Sequence, residues 1–162
     1  MATERRSDGD SAGDDALSRA LTAPHTERRY AECRRFVQEA KTLALDMFEA
    51  KDMALHVVER LEALMEQAQG SEGLRSAMFI SARTEKIARE FRDFLNKFRG
   101  KKAVIRLACN RVVVSRIQDL HKDIDKAFGG LGLDDEQTAW HQRWEGYREA
   151  QHVAFEMISY RY

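Results

Sequence analysis

Proline occurs once in this chain of 162 residues, at Pro24, and glycine nine times. A sequence so poor in both lacks the punctuation that β-sandwiches and barrels need at every turn, so an all-β fold is excluded first. Cysteine is almost absent as well. Cys33 and Cys109 stand far apart in no CxxC or Cys/His grouping, which argues against a zinc site or a disulfide framework and for a reducing, intracellular compartment. Net charge is missing, because Lys plus Arg and Asp plus Glu number 27 each. No overall field draws DNA or RNA from a distance, no nucleic-acid partner is expected, and a charge-driven partner must read a local patch. Long apolar runs are missing too. Nothing approaches the roughly 18 residues of a membrane span, and the start carries no apolar signal core, so a cytoplasmic protein is expected.

What is present is charge, 33% of the residues, laid over helical periodicity. Residues 1–23 are rich in Ser, Gly, Asp and Ala, with Leu17 and Leu21 their only large aliphatic side chains after Met1. They read as a disordered leader to a bundle domain over 24–162. Pro24 closes the leader, and Thr26 is placed to cap the helix that follows. Tyr30, Cys33, Val37, Ala40, Ala44 and Met47 then recur at steps of three or four. The stripe continues through Ala54, Val57, Val58, Leu61, Leu64, Met65 and Ala68 as far as Gly70. A single helix over 27–69 would span roughly 65 Å at 1.5 Å per residue, longer than its neighbours could cover, so a break is expected near Ala50, Lys51 and Asp52.

Three further stripes follow. Ala77, Ile80, Ile87, Phe91, Phe94, Leu95 and Phe98 mark a third helix closed by Gly100. Ile105, Cys109, Val112, Val113, Ile117, Leu120, Ile124 and Phe128 mark a fourth, whose helical period outweighs the strand-like run Val112–Val114. Asp134 with Gln137 has the form of a capping box, and Trp140, Trp144, Tyr147, Ala154, Phe155 and Ile158 give the buried side of a fifth. The expected helices cover about 26–49, 51–69, 74–99, 102–128 and 135–160. Joined by short links, they imply an all-α fold, an up-down four-helix bundle with a brace-like C-terminal helix.

No catalytic or cofactor motif emerges. Glu149 and His152 have the Glu-x-x-His spacing of metal-binding bundles, yet at 100° per residue they stand about 200° and about 140° from Tyr147, away from the apolar side. No second such pair exists. His121 with Asp125, and His141 with Glu145, are spaced i, i+4 and read most simply as surface pairs. Gly129-Gly130-Leu131-Gly132 lacks the strand and the lysine of a phosphate loop. The expectation is a non-enzyme without metal or cofactor. Trp140 and Trp144 read as anchors of the fifth helix, not as a ligand platform.

Charge distribution singles out one segment. Between Asp93 and Asp119 there is no acidic residue, whereas Lys97, Arg99, Lys101, Lys102, Arg106, Arg111 and Arg116 all occur. The turn between the third and fourth helices is therefore a candidate anion-binding tip, with Lys97, Arg99, Lys101, Lys102 and Arg106 as candidate contacts to anionic lipid or to a partner. Residues 119–149 are net acidic.

Residues 91–133, FRDFLNKFRGKKAVIRLACNRVVVSRIQDLHKDIDKAFGGLGL, followed by Trp140 and Trp144, also carry a resemblance. The ending Phe94-Leu95-x-Lys97-Phe98, the basic turn, the run Leu120-His121 with Asp123-Ile124-Asp125 and Phe128, and the Leu-Gly-Leu exit resemble the N-terminal helical bundle of the mixed lineage kinase domain-like and HeLo-like family. Such bundles precede tyrosine-kinase-like kinases in fungi, plants and oomycetes. The resemblance spans about residues 26–160 and is best in the second half. It implies a four-helix bundle with a brace helix that regulates an effector or kinase domain by self-association or partner binding. In members that permeabilise membranes, basic bundle residues engage anionic phospholipids, which places such a domain at the periphery of the plasma membrane. Two features differ from those lethal members: the first helix is well charged, and the chain carries no kinase motif.

Overall fold

The regular 3.6-residue stripes become helices in the computed structural model, which describes residues 11–47, 50–70, 74–133 and 139–159. The described residues are all-α. In chain order the helices are α1 (Ser11–Leu45), α2 (Lys51–Gly70), α3 (Leu74–Arg99), α4 (Ala103–Ala108), α5 (Asn110–Gly129) and α6 (Ala139–Ser159).

The first helix begins earlier than composition suggests. α1 runs from Ser11 through Pro24, so Thr26 lies inside it instead of capping its start. Pro24 forfeits one backbone hydrogen bond. Ala12, Ala16, Leu17, Ala20, Leu21 and Ala23 are strong helix formers that offset the loss, and low hydrophobicity alone hid that propensity. Residues 1–10 of the expected leader lie outside the described residues. The chain leaves helix after Leu45, where Asp46 and Met47 donate to the carbonyls three residues back (3.2 and 3.1 Å), and re-enters it at Lys51. Residues 27–69 thus form two helices.

The fourth helix departs most from expectation. In place of one helix over 102–128 there are two, hinged at Cys109, whose φ of −88° and ψ of 6° lie in the bridge region. The break shifts the phase of α4 alone; Val112 lies beyond it on α5, beside the buried Val113. Val113, Ile117, Leu120, Ile124 and Phe128 stay buried, while Ile105 and Val112, expected in the core, are 46% and 60% exposed. One cause lies in coverage: α4 follows α3 after a three-residue link and packs chiefly on α5, so no long neighbour shields it.

At its other end α5 closes through Gly132, whose φ of 72° suits a residue without Cβ. Leu133 donates to the Phe128 carbonyl (3.2 Å) and Gly132 to that of Gly129 (3.1 Å), a Schellman motif. Residues 134–138, with the expected capping box, lie outside the described residues, as do the side chains of Ala154, Phe155 and Ile158.

α1 packs along α3 over the longest interface and also touches α2, α2 meets α3 and α5, and α3 meets α5. The core between them holds Cys33, Val37, Ala40, Val57, Leu61, Leu64, Ile80, Phe91, Leu95, Ile117, Leu120 and Ile124. α6 lies against α2, and Trp140 and Trp144 plug its first half into the bundle.

Candidate functional site

Two regions carry chemistry, and only one was marked by the sequence. The marked one is the corner where α3 ends, the link 100–102 turns, and α4 and α5 begin. All five candidate cations lie on this stretch. Lys97 and Lys102 are exposed and make no ion pair among the described residues. Arg99 reaches Asp46 at 3.7 Å, with both side chains more than half exposed, a pair worth at most about 1 kcal/mol. The Lys101 ammonium sits 4.9 Å from the centre of the Phe98 ring, and Arg106 Nη1 donates to the Lys101 carbonyl at 3.2 Å. Arg111 is exposed nearby, whereas Arg116 is turned to Glu90 at 3.0 Å.

The α4–α5 hinge adds what periodicity did not foresee. Val104 is 76% exposed, and with Ile105 and Val112 it gives the corner an apolar edge among cations. Beside it, α4 and α5 on one side and the middle of α6 on the other flank an open groove of about 1010 Å³, lined by Leu107, Arg111 and Val114 and by Glu145, Arg148 and His152. Gln151 Nε2 spans it to Asn110 Oδ1 at 2.9 Å.

The second region is buried between α2, α5 and α6. Arg60 Nη1 donates to His121 Nδ1 (3.0 Å) and to the His121 carbonyl (3.1 Å), and its Nη2 pairs with Asp125. Trp140 Nε1 donates to the other Asp125 oxygen at 3.0 Å. The guanidinium also faces the Trp140 ring at 5.3 Å, a cation–π contact shielded from water. His121 is fully buried, stacked on Trp140 with centroids 4.5 Å apart and edge-on to Trp144 at 5.5 Å. His56 lies 5.0 Å from His121 and 5.8 Å from Tyr147, centroid to centroid.

This overturns the surface reading of His121 and Asp125. Their i, i+4 spacing serves a buried pair with Arg60 on another helix. His56 and Arg60 went unmarked, although both stand on the α2 stripe among Met53, Val57, Leu61 and Leu64. A charged residue on an apolar stripe was the available signal, since such a group is buried only when paired.

The electrostatics follow from burial. Because arginine only donates, His121 Nδ1 must accept, which fixes its proton on Nε2. Burial first, then the Arg60 charge, lowers the His121 pKa from 6.5 to about 2. Burial and the Arg143 charge lower that of His56 to about 4. Burial also lowers the Arg60 pKa, against the pull of Asp125. Cys33 is pushed up to about 12 by burial and Glu85, which makes it an inert core thiol.

Glu149 and His152 are both exposed, and His152 meets Glu156 at 3.3 Å. Among the described residues no three His, Cys, Asp or Glu side chains converge as a metal site would require, and no helix is long and apolar enough to cross a membrane. Compared with protein-family models, curated proteins and solved structures, the chain matches none.

Proposed function

We propose that this protein is a non-catalytic regulatory helical bundle that acts in signalling through self-association or partner binding at the α3–α4–α5 corner. One observation carries the reading: Val104 and Ile105 on α4 and Val112 at the start of α5 are all exposed, on the stretch of chain that carries Lys97, Lys101, Lys102, Arg106 and Arg111. Apolar area clustered at a hinged element is a common mark of an interaction site, and a rim of cations selects an acidic counterpart. The resemblance to the mixed lineage kinase domain-like and HeLo-like family supports the same role, a bundle that governs an attached or separate effector or kinase domain. Light scattering over a concentration series tests self-association. A mass that rises with concentration, and that Val104→Ser with Ile105→Ser holds at the monomer value, is the expected result. A constant monomer mass removes self-association and leaves partner binding.

A second reading rests on the same corner: peripheral binding to anionic phospholipid, as in membrane-acting members of that family. The mixture of exposed Val104 and Ile105 with exposed Lys97 and Lys102 favours it. Sedimentation with anionic and neutral vesicles distinguishes the two. Salt-sensitive capture by anionic vesicles alone, with dye release, selects the membrane reading. No capture by either vesicle leaves the protein–protein reading.

A further inference from the structure

We propose that the buried histidines His56 and His121 make the docking of α6 on the bundle acid-sensitive, so that α6 is released as they take up protons.

The attachment of α6 is unusually local. Among its described side chains only Trp140 and Trp144 are buried, and both touch His121, while the half-buried Tyr147 touches His56. α2 and α5, which carry the histidines, are held independently by Val57, Leu61, Leu64, Ile117 and Ile124 in the main core. A change at the histidines therefore acts first on α6.

The junction tolerates neutral imidazoles and little else. Every neighbouring element presents a charge or an ionisable group. α2 contributes Arg60, paired with Asp125 of α5, and Glu59, which pairs with Arg143 of α6 at 3.0 Å. α6 also contributes His141, beside Trp140, and Tyr147, whose hydroxyl accepts from Arg143 at 3.0 Å. Asp125 already serves Arg60 and Trp140, and Glu59 is an exposed partner of Arg143, so among the described residues no carboxylate is left for an imidazolium. His56 Nδ1, His121 Nε2 and Trp144 Nε1 have no hydrogen-bond partner among the described residues. These orphaned atoms regain partners in water once α6 leaves.

Direction follows from linkage. Docked, both histidines have pKa values lowered from 6.5, to about 4 for His56 and about 2 for His121. Exposed, each moves back toward 6.5. The histidines therefore leave docking undisturbed above pH 6.5 and weaken it as pH falls below that value. Between pH 7.5 and 5.5 each histidine shifts the docking equilibrium by up to about tenfold toward release. Arg60 stays beside His121 after release and restrains it, so His56, which loses Arg143 with α6, carries the larger share.

Hydrogen exchange on the full chain at pH 7.5 and 5.5, corrected for intrinsic exchange, tests this. α6 amides should be less protected than those of α1 and α3, and should lose protection by up to about 100-fold on acidification. In His56→Gln, neutral at both values, the loss should shrink to about tenfold at most. The chain's only two tryptophans lie on α6. In wild type their emission should shift to longer wavelength, and acrylamide should reach them, before the far-UV helical signal falls. α6 protected as strongly as α1 and α3 at both pH values overturns the proposal. So does an acid response unchanged in His56→Gln, or tryptophan exposure only in step with loss of helix.

Discussion

The α2–α5–α6 junction and the α3–α4–α5 corner both reverse the usual placement of side chains, in opposite senses. The junction buries an arginine and two histidines and half-buries an aspartate. The corner exposes three branched apolar residues beside exposed lysines. The junction is a place where removing a partner is severe, because a charge is left in low dielectric. The corner is a place where removing a side chain does little to folding, because water already surrounds it. The difference separates a device for holding one helix in place from a surface kept free for another molecule.

The largest effect should come from breaking the junction. Asp125→Ala leaves Arg60 without its counter-charge, and unfolding in urea should show a loss of about 3–5 kcal/mol. A loss below about 1 kcal/mol would mean that Arg60 escapes to water and that the junction is not sealed. Trp140→Phe keeps the ring on His121 but removes the donor to Asp125, for an expected loss of about 2 kcal/mol. Acidification acts on the same region with a defined sign. Folded pKa values of about 4 and about 2, set against 6.5 when unfolded, mean that unfolding takes up protons. Stability should therefore fall below pH 6.5 by up to about 1.4 kcal/mol per histidine per pH unit, until His56 protonates in the folded state near pH 4. A flat profile from pH 7 to 5 would contradict this.

At the corner the expected effects on stability nearly vanish. Val104→Ser with Ile105→Ser should change the unfolding free energy by no more than about 0.5 kcal/mol per site, yet abolish concentration-dependent association. Lys101→Glu with Lys102→Glu should leave the helical content unchanged and weaken capture by anionic vesicles by about 1 kcal/mol per charge removed, if those vesicles bind at all. A corner substitution that unfolds the bundle would erase the distinction between the two regions.

Helical stripes made most of the all-α fold legible: the α2 and α3 boundaries fall within a residue of those expected, because regular amphipathic spacing survives packing. Two errors have different causes. The extension of α1 through Pro24 rests on helix propensity that low hydrophobicity hid. The break at Cys109 falls inside a run of apolar spacing that continues on both sides of it. The cationic residues of the corner could be located from charge alone. The exposure of Ile105 and Val112 could not, since both were placed on the expected core stripe, and Val104 was placed on no stripe at all. The junction failed for a different reason. His121 with Asp125 has the spacing of a surface pair, and its partner Arg60 lies 61 residues before His121. The cue lay on α2, where an arginine interrupts an apolar stripe.

Whether the corner is the working surface is decided by light scattering of wild type and of Val104→Ser/Ile105→Ser across a concentration series. The mass should climb with concentration for the wild type and stay at one chain for the variant, with equal helical content. Identical association in both proteins would contradict it and move the working surface elsewhere.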